Sequence, residues 1–252
     1  MKILLLDIET APHRVYAWGL WDQNIGLNQI EEPGYTLCWA AKWLGSRDMM
    51  FASVREGREK MLRQIWGLLD EADVVVHYNG AKFDIPTLNQ EFVQIGLNPP
   101  GGYRQLDLLV TMRRRFRLAS NKLDYVVKQF GIGAKIEHKG MDLWREVMAN
   151  DPKAWAQMES YNKRDVKLLE AAYKKLRPWL LGHPNWGLFK QGGAPVCPAC
   201  GSKHLQRRGW AYSRTLRYQR FQCQSCGTWS RGRKHDTPNK MRDSMTVPLD
   251  RN

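Results

Sequence analysis

Long apolar runs are missing from this chain, cysteines are few, and carboxylates are scarce at one end. No stretch approaches the roughly 20 apolar residues of a membrane-crossing helix. The first residues also lack the basic opening and small-residue cleavage site of a secretory signal, so a cytoplasmic location is expected. Five cysteines, four of them in two CxxC pairs, exclude a dense disulfide framework and fit metal-binding thiols in a reducing compartment. From residue 190 onward 3 Asp and no Glu face 13 Lys or Arg, which accounts for most of the formal net charge of +14. A region so poor in negative charge attracts polyanions, nucleic acid ahead of an anionic membrane. Apolar residues at 43% and charged residues at 25% exclude a chain disordered throughout.

What is present reads first as alternating periods. Lys2–Leu6 is a continuous apolar run ending in Asp-Ile-Glu-Thr, the pattern of a buried strand with a polar end. Further strands are expected near Arg14–Trp21, Tyr35–Leu44, Met49–Ser53 and Val74–His77. Met61, Leu62, Ile65, Trp66, Leu68 and Leu69 mark one face of an amphipathic helix over Arg58–Ala72. Helical spacing returns at Ile85, Leu88, Phe92 and Ile95, with Gly96 as a stop. Ser120 is expected to cap a helix ending near Phe130, and a last long helix spans about Lys153 to Leu180. A meander followed by strand–helix alternation implies an α/β body with helices covering a mixed sheet. Residues 1–181 are expected to form that body, and 182–195, with Gly and Pro but no periodicity, a linker. A second small unit is expected over 196–230, followed by a basic, mobile tail over 231–252.

Four carboxylates carry the chemistry. Asp7 and Glu9 are two apart on the first strand, so alternation puts both on one face, where they repel unless a cation lies between them. Read alone, the pair is equally a polar strand end in water. Asp84 closes the segment that leaves the Val74 strand and enters a helix, where it serves either as an N-cap or in a site. Tyr161 and Asp165 are one helical turn apart and continue the stripe Leu169, Ala172, Leu176 and Trp179, which places an ionised group on a buried face. Such a group needs an Arg partner or a metal.

Taken in order, Asp7-Ile8-Glu9-Thr10, Asn79-Gly80-Ala81-Lys82-Phe83-Asp84 and Tyr161-Asn162-Lys163-Arg164-Asp165 resemble the motifs of DnaQ-like exonucleases of the DEDD superfamily. The resemblance covers roughly residues 1 to 180. Ser160 stands where the histidine subgroup would place its His, so the match is to the tyrosine subgroup, DEDDy, which includes polymerase proofreading domains and ribonuclease-D-like enzymes. The stretch Phe116–Tyr125 is similar to a segment of phage and bacterial stand-alone members.

The resemblance implies a ribonuclease-H-like mixed sheet flanked by helices, with a metal-dependent 3′→5′ exonuclease acting on single-stranded or frayed DNA ends. It also implies two Mg²⁺ or Mn²⁺ ions, which suit hard oxygen ligands. Asp7 would bridge both ions, Glu9 and Asp165 would serve the one that activates water, Asp84 the other, and Tyr161 would orient the water. Thr10, Asn79, Arg113, Arg117 and Lys122 are candidate nucleic-acid contacts. The location is then the host cytoplasm if the chain is phage-encoded, and a polymerase is a compatible protein partner. An RNA 3′-end exonuclease with the same residues, and a non-catalytic nucleic-acid-binding module, are the competing readings.

Near the other end, Cys197-Pro198-Ala199-Cys200 and Cys223-Gln224-Ser225-Cys226 form two knuckles, each followed by glycine. The spacing implies a four-cysteine structural zinc site, a zinc ribbon, whose metal would supply much of the folding free energy. His204 is a competing ligand. Arg207, Arg208, Arg214, Arg217 and Arg220 alternate with Trp210, Tyr212, Tyr218 and Phe221 between the knuckles, a composition suited to phosphates and bases. The aromatic residues serve equally as the ribbon's own small core. Cys38 is expected to be a buried strand thiol.

Overall fold

A computed structural model describes residues 1–136, 139–190 and 192–247, so Gln191 of the expected linker and residues 248–252 of the expected tail lie outside the described residues. The chain divides into two compact units, Met1–Lys174 and Lys175–Asn252.

The first unit is built on β1 (Ile3–Thr10), whose Leu4, Leu5 and Leu6 are fully buried because both faces of the strand are covered. β1 pairs antiparallel with β4 (Thr36–Trp43) and parallel with β6 (Val74–His77). β5 (Met50–Ser53) and β7 (Arg104–Asp107) complete a mixed five-stranded sheet in the order β5-β4-β1-β6-β7. On one face Leu4, Leu6 and Ile8 pack against Met61, Leu62 and Ile65 of α1 (Arg58–Glu71) and Ile85, Leu88 and Phe92 of α2 (Asp84–Gln94). On the other, Cys38 and Leu37 meet Leu143 and Val147 of α5 (Met141–Met148) and Trp155, Met158 and Tyr161 of α6 (Pro152–Leu176). The expected α/β architecture is therefore present, with helices on both faces. Among the described residues no helix is long and apolar enough to cross a membrane.

Several elements differ from the expectation, each for a local reason. Only Arg14–Val15 (β2) of the expected Arg14–Trp21 strand is extended, paired with the unforeseen β3 (Ile30–Glu32). Beyond it Trp18, Leu20 and Trp21 are exposed, so apolar content there is not core. The polar edge strand β7 is unforeseen because half its residues are exposed, and α5 is unforeseen because its buried apolar pair Leu143 and Val147 spans a single turn. α3 (Leu108–Arg115) and α4 (Leu123–Gln129) follow β7, and Lys122 occupies the N-cap of α4. Ser120 instead accepts the Lys122 N–H at 3.2 Å. α6 stops at Leu176, before Pro178, which cannot donate to the helix ladder and sits in a 3-10 turn over Arg177–Trp179.

The second unit is an antiparallel sheet of β8 (Leu205–Tyr212), β9 (Arg217–Cys223) and β10 (Trp229–His235), in the order β10-β9-β8. β10 continues past Ser230, the expected end of this unit, because its residues pair with β9 as far as His235. A short helix, α7 (Asn239–Asp243), follows. Within residues 182–195, Trp186–Phe189 forms a 3-10 turn, and the Trp186 N–H donates to Pro198 O at 2.9 Å. That segment is thus fastened to the first knuckle.

Phe92 fills the space between α2 and the sheet at 2% exposure. Phe92→Ala should lower the unfolding free energy by about 3–5 kcal/mol through reduced burial and the cavity left behind. Urea unfolding followed by circular dichroism measures this, and a change under about 1 kcal/mol would mean the site collapses freely.

Candidate active site

The odd positions of β1 face α6, and this alternation is what builds the site. Glu9 lies opposite Cys38 and Asp7 opposite Ala40, while Ile8, opposite Trp39, turns into the α1–α2 core. The pairing is irregular between Glu9 and Thr10, so the strand ends its regular ladder right after the second acid. From α6, Asp165 projects to the same place, and one ligand oxygen each from Asp7, Glu9 and Asp165 lie within 4.8 Å of one another. Asp84 stands outside this trio. It is not the N-cap of α2, which is Phe83, and its carboxylate instead accepts the Ile8 N–H of β1 at 3.2 Å.

The turn that delivers Asp84 depends on three residues. Asn79 adopts a positive φ of 69°, a conformation Asn tolerates, and its N–H donates to Asp107 at 2.9 Å. A Cβ on Gly80 would lie 2.6 Å from the His77 ring, so only glycine fits there. The Gly80 N–H donates to Nδ1 of His77 at 3.1 Å, and Nε2 faces Gln105 at 3.2 Å. An accepting Nδ1 requires a neutral imidazole, in line with the lowering of its pKa by burial. The 3.7 Å approach of Asp107 is then not an ion pair.

Two further residues at the site were not singled out by the sequence. Asn162, fully buried, donates from Nδ2 to Asp7 Oδ2 at 2.7 Å and so fixes the orientation of that carboxylate. It lies beside Tyr161 in the third motif, but helical spacing alone assigned it no face. Lys135, from a loop whose sequence carries no pattern, pairs with Asp165 and reaches the Tyr161 hydroxyl at 3.2 Å.

Burial, then Glu9, Asp84 and Asp165, raises the Asp7 pKa well above the carboxylate range. Burial and Asp165 push Glu9 up to about 8, and burial raises Asp84 to about 7. Burial acts to lower Lys135, but Asp165 outweighs it and its pKa is raised. Tyr161 is pushed up to about 12 by burial and by Asp165, so its hydroxyl stays protonated. With these pKa values raised, protons relieve the repulsion among the carboxylates at neutral pH, and a cation taking the same hard oxygen donors would relieve it by displacing those protons. A divalent cation with bonds of about 2.1 Å fits that donor set and that spacing.

Beside Lys135 opens a cleft of about 570 Å³ lined by Tyr78, Asn79, Arg113, Ser120, Asn121 and Lys122, among others. The structure thus brings Asn79, Arg113 and Lys122 together, whereas Arg117 does not line this cleft. Thr10 lies at the end of β1, its carbonyl accepting the Trp144 indole N–H at 3.0 Å.

In the second unit the thiols of Cys197, Cys200, Cys223 and Cys226 also lie within 4.8 Å of one another. The Cys197–Cys226 and Cys200–Cys223 sulfur pairs are each 3.6 Å apart. Tetrahedral zinc with bonds of about 2.3 Å places its sulfurs about 3.8 Å apart, so the cluster fits that ion. Gly201 and Gly227, at φ 73° and 77°, donate back to Cys197 O and Cys223 O and close the two knuckles. Burial works against ionisation of Cys223, but the N–H groups of Cys226 and Ser225 outweigh it and bring its pKa down to about 7. His204 is not part of the cluster.

Comparison with known proteins places this geometry in a family. The RNase_H superfamily matches over residues 4–177, and the chain belongs to that superfamily. Among solved structures, the family B DNA polymerase from the hyperthermophilic archaeon Pyrobaculum calidifontis is similar, with a TM-score of 0.53 and 21% identity. The match covers 70% of this chain and only 24% of the polymerase, and at that identity it shows the fold alone. No curated protein matched the chain.

Asn162→Ala removes a hydrogen bond to Asp7 without removing a ligand. Mn²⁺ affinity should fall roughly 10-fold, as for other partners that orient a metal ligand. Isothermal titration of the folded variant measures it, and unchanged affinity would deny Asn162 that role.

Proposed function

Starting from membership of the RNase H superfamily, we propose that the chain is a metal-dependent 3′→5′ exonuclease of the DEDDy type, hydrolysing terminal phosphodiesters of single-stranded or frayed DNA. The observation that carries this reading is the convergence of Asp7, Glu9 and Asp165 within 4.8 Å, with Tyr161 one helical turn before Asp165. Asp84, tied to β1 through the Ile8 N–H, completes the set of four acids.

In this reading Asp7, Glu9, Asp84 and Asp165 would hold two Mg²⁺ or Mn²⁺ ions, Asp7 serving both, Glu9 and Asp165 one and Asp84 the other. When bound, such ions lower the pKa of water and stabilise the attacking and leaving oxygens of an in-line displacement. Asn162 holds the Asp7 carboxylate in place. Tyr161, still protonated, donates its hydroxyl hydrogen to orient the attacking water. Lys135 balances part of the carboxylate charge and lies at the mouth of the cleft, where with Arg113 and Lys122 it attracts the phosphates of the incoming strand. The second unit acts as a zinc ribbon that adds nucleic-acid affinity.

A non-catalytic binding module has no use for four acids around one place, two of them buried and two half-buried, since their mutual repulsion costs stability and attracts no polyanion. RNA remains the competing substrate, because no residue at the site is seen to read a 2′-hydroxyl.

Asp7→Ala should cut single-turnover cleavage by about two orders of magnitude or more while the protein stays folded. EDTA should stop the native protein and Mg²⁺ or Mn²⁺ restore it. Tyr161→Phe should slow cleavage with metal binding largely kept, and a 5′-labelled strand should shorten as a ladder. Early release of the 5′ label, or full activity of folded Asp7→Ala, would overturn the assignment. Degradation of matched DNA and RNA strands decides the substrate. Elemental analysis should find about one zinc per chain.

A further inference from the structure

One face of the three-stranded sheet is built in a way that its own stability does not explain. Between Val196 and His235 the sequence has nine Lys or Arg and no carboxylate. Arg220 of β9 and Arg231 of β10 are paired directly opposite each other, so both side chains leave the same face of the sheet. Like charges in that position are destabilising. Among the described residues neither lies within ion-pair distance of a carboxylate.

Both guanidinium groups are held by aromatic rings on the same face. The Arg231 guanidinium carbon lies 3.9 Å from the Tyr218 ring centroid, and that of Arg220 lies 4.9 Å from the Trp229 ring. Tyr218 is two residues before Arg220, and Trp229 pairs with Gln222, so alternation keeps all four side chains together. The Arg220 Nε also donates to Arg208 O at 2.8 Å, which further limits its motion. Trp229 is 50% exposed. The opposite face differs, because Arg217 stacks on Trp210 at 4.5 Å and pairs with Asp236 at 3.7 Å.

We propose that the face carrying Tyr218, Arg220, Trp229 and Arg231 binds single-stranded DNA, with backbone phosphates on the Arg220 and Arg231 guanidinium groups and a base on the half-exposed indole of Trp229. This rests on the reading of the second unit as a nucleic-acid-binding ribbon and names the surface that does it. A phosphodiester anion offsets the Arg220–Arg231 repulsion, and the ring contacts hold the guanidinium groups in place before the strand arrives. A duplex keeps its bases stacked inside and has none to offer Trp229, whereas a single strand does.

The test uses the full chain, fluorescein-labelled oligothymidylate and a labelled duplex, with Ca²⁺ in place of Mg²⁺ to suppress cleavage. Anisotropy titrations are run at several salt concentrations, and zinc content is checked for every variant. Arg220→Gln combined with Arg231→Gln should weaken single-strand binding about 10-fold and flatten the log–log salt slope by about 0.7 for each phosphate no longer neutralised. Arg207→Gln, whose side chain shares the opposite face with Phe221, should change both much less. Trp229→Ala should weaken binding to the single strand more than to the duplex. If the native chain binds no oligothymidylate, the ribbon's nucleic-acid role itself fails. If it binds, but Arg207→Gln costs as much as the double variant, only the choice of face is overturned. Equal weakening on both strand types for Trp229→Ala overturns the single-strand preference, and tighter binding of oligouridylate overturns the commitment to DNA.

Discussion

Like charges crowded together repel, and in this protein burial with Glu9, Asp84 and Asp165 raises the pKa of Asp7, burial with Asp165 that of Glu9, and burial with Asp107 that of Asp84. A fold keeps such an arrangement only if the rest of the structure holds the four groups against their repulsion, or if a cation joins them. Both apply here. Asn162 donates to Asp7, the Ile8 N–H donates to Asp84, and Lys135 pairs with Asp165, so three of the four acids have a partner that sets their direction. One ammonium does not balance four ionised carboxylates; protons do so at neutral pH, and divalent cations would do so when bound, releasing those protons.

The elements that hold these groups are deeply packed. β1 is covered on both faces and carries two acids at its end; β6, its parallel neighbour, leads through the His77–Gly80 turn to Asp84. α6 packs against the sheet through Met158 and Tyr161, which cluster with Leu37 and Cys38 of β4, and through Asn162, which donates to Asp7, so Asp165 comes to face the end of β1. The acids thus sit at the carboxyl end of the parallel pair β1 and β6, the usual place for a site in an α/β sheet. Placing them on rigid elements avoids the ordering cost a loop-borne site would incur.

Much of this was legible in the residues. The alternation of Asp7, Ile8 and Glu9 states which side chains share a face, and the Tyr161–Asp165 spacing states that both lie on one side of a helix. What periodicity does not contain is partner choice across the fold. Asn162 lies 155 residues from Asp7, and Lys135 comes from a loop without pattern, so neither interaction has a local signal. Apolar content misled at Trp18, Leu20 and Trp21, which are exposed, and polar content hid β7, an edge strand with half its side chains in water. In the second unit the CxxC spacing is a covalent constraint and is read directly. The opposed Arg220 and Arg231 depend on strand register, which the spacing of the knuckles leaves open.

Because the repulsion among the acids is what the metal would relieve, locating bound metal is the direct measurement. Crystals soaked in Mn²⁺ should show two anomalous difference peaks at the carboxylates, one bounded by Asp7, Glu9 and Asp165 and the other by Asp7 and Asp84. No anomalous density at the carboxylates, in crystals whose four cysteines hold their own ion, would contradict the assignment of this cluster as a metal centre.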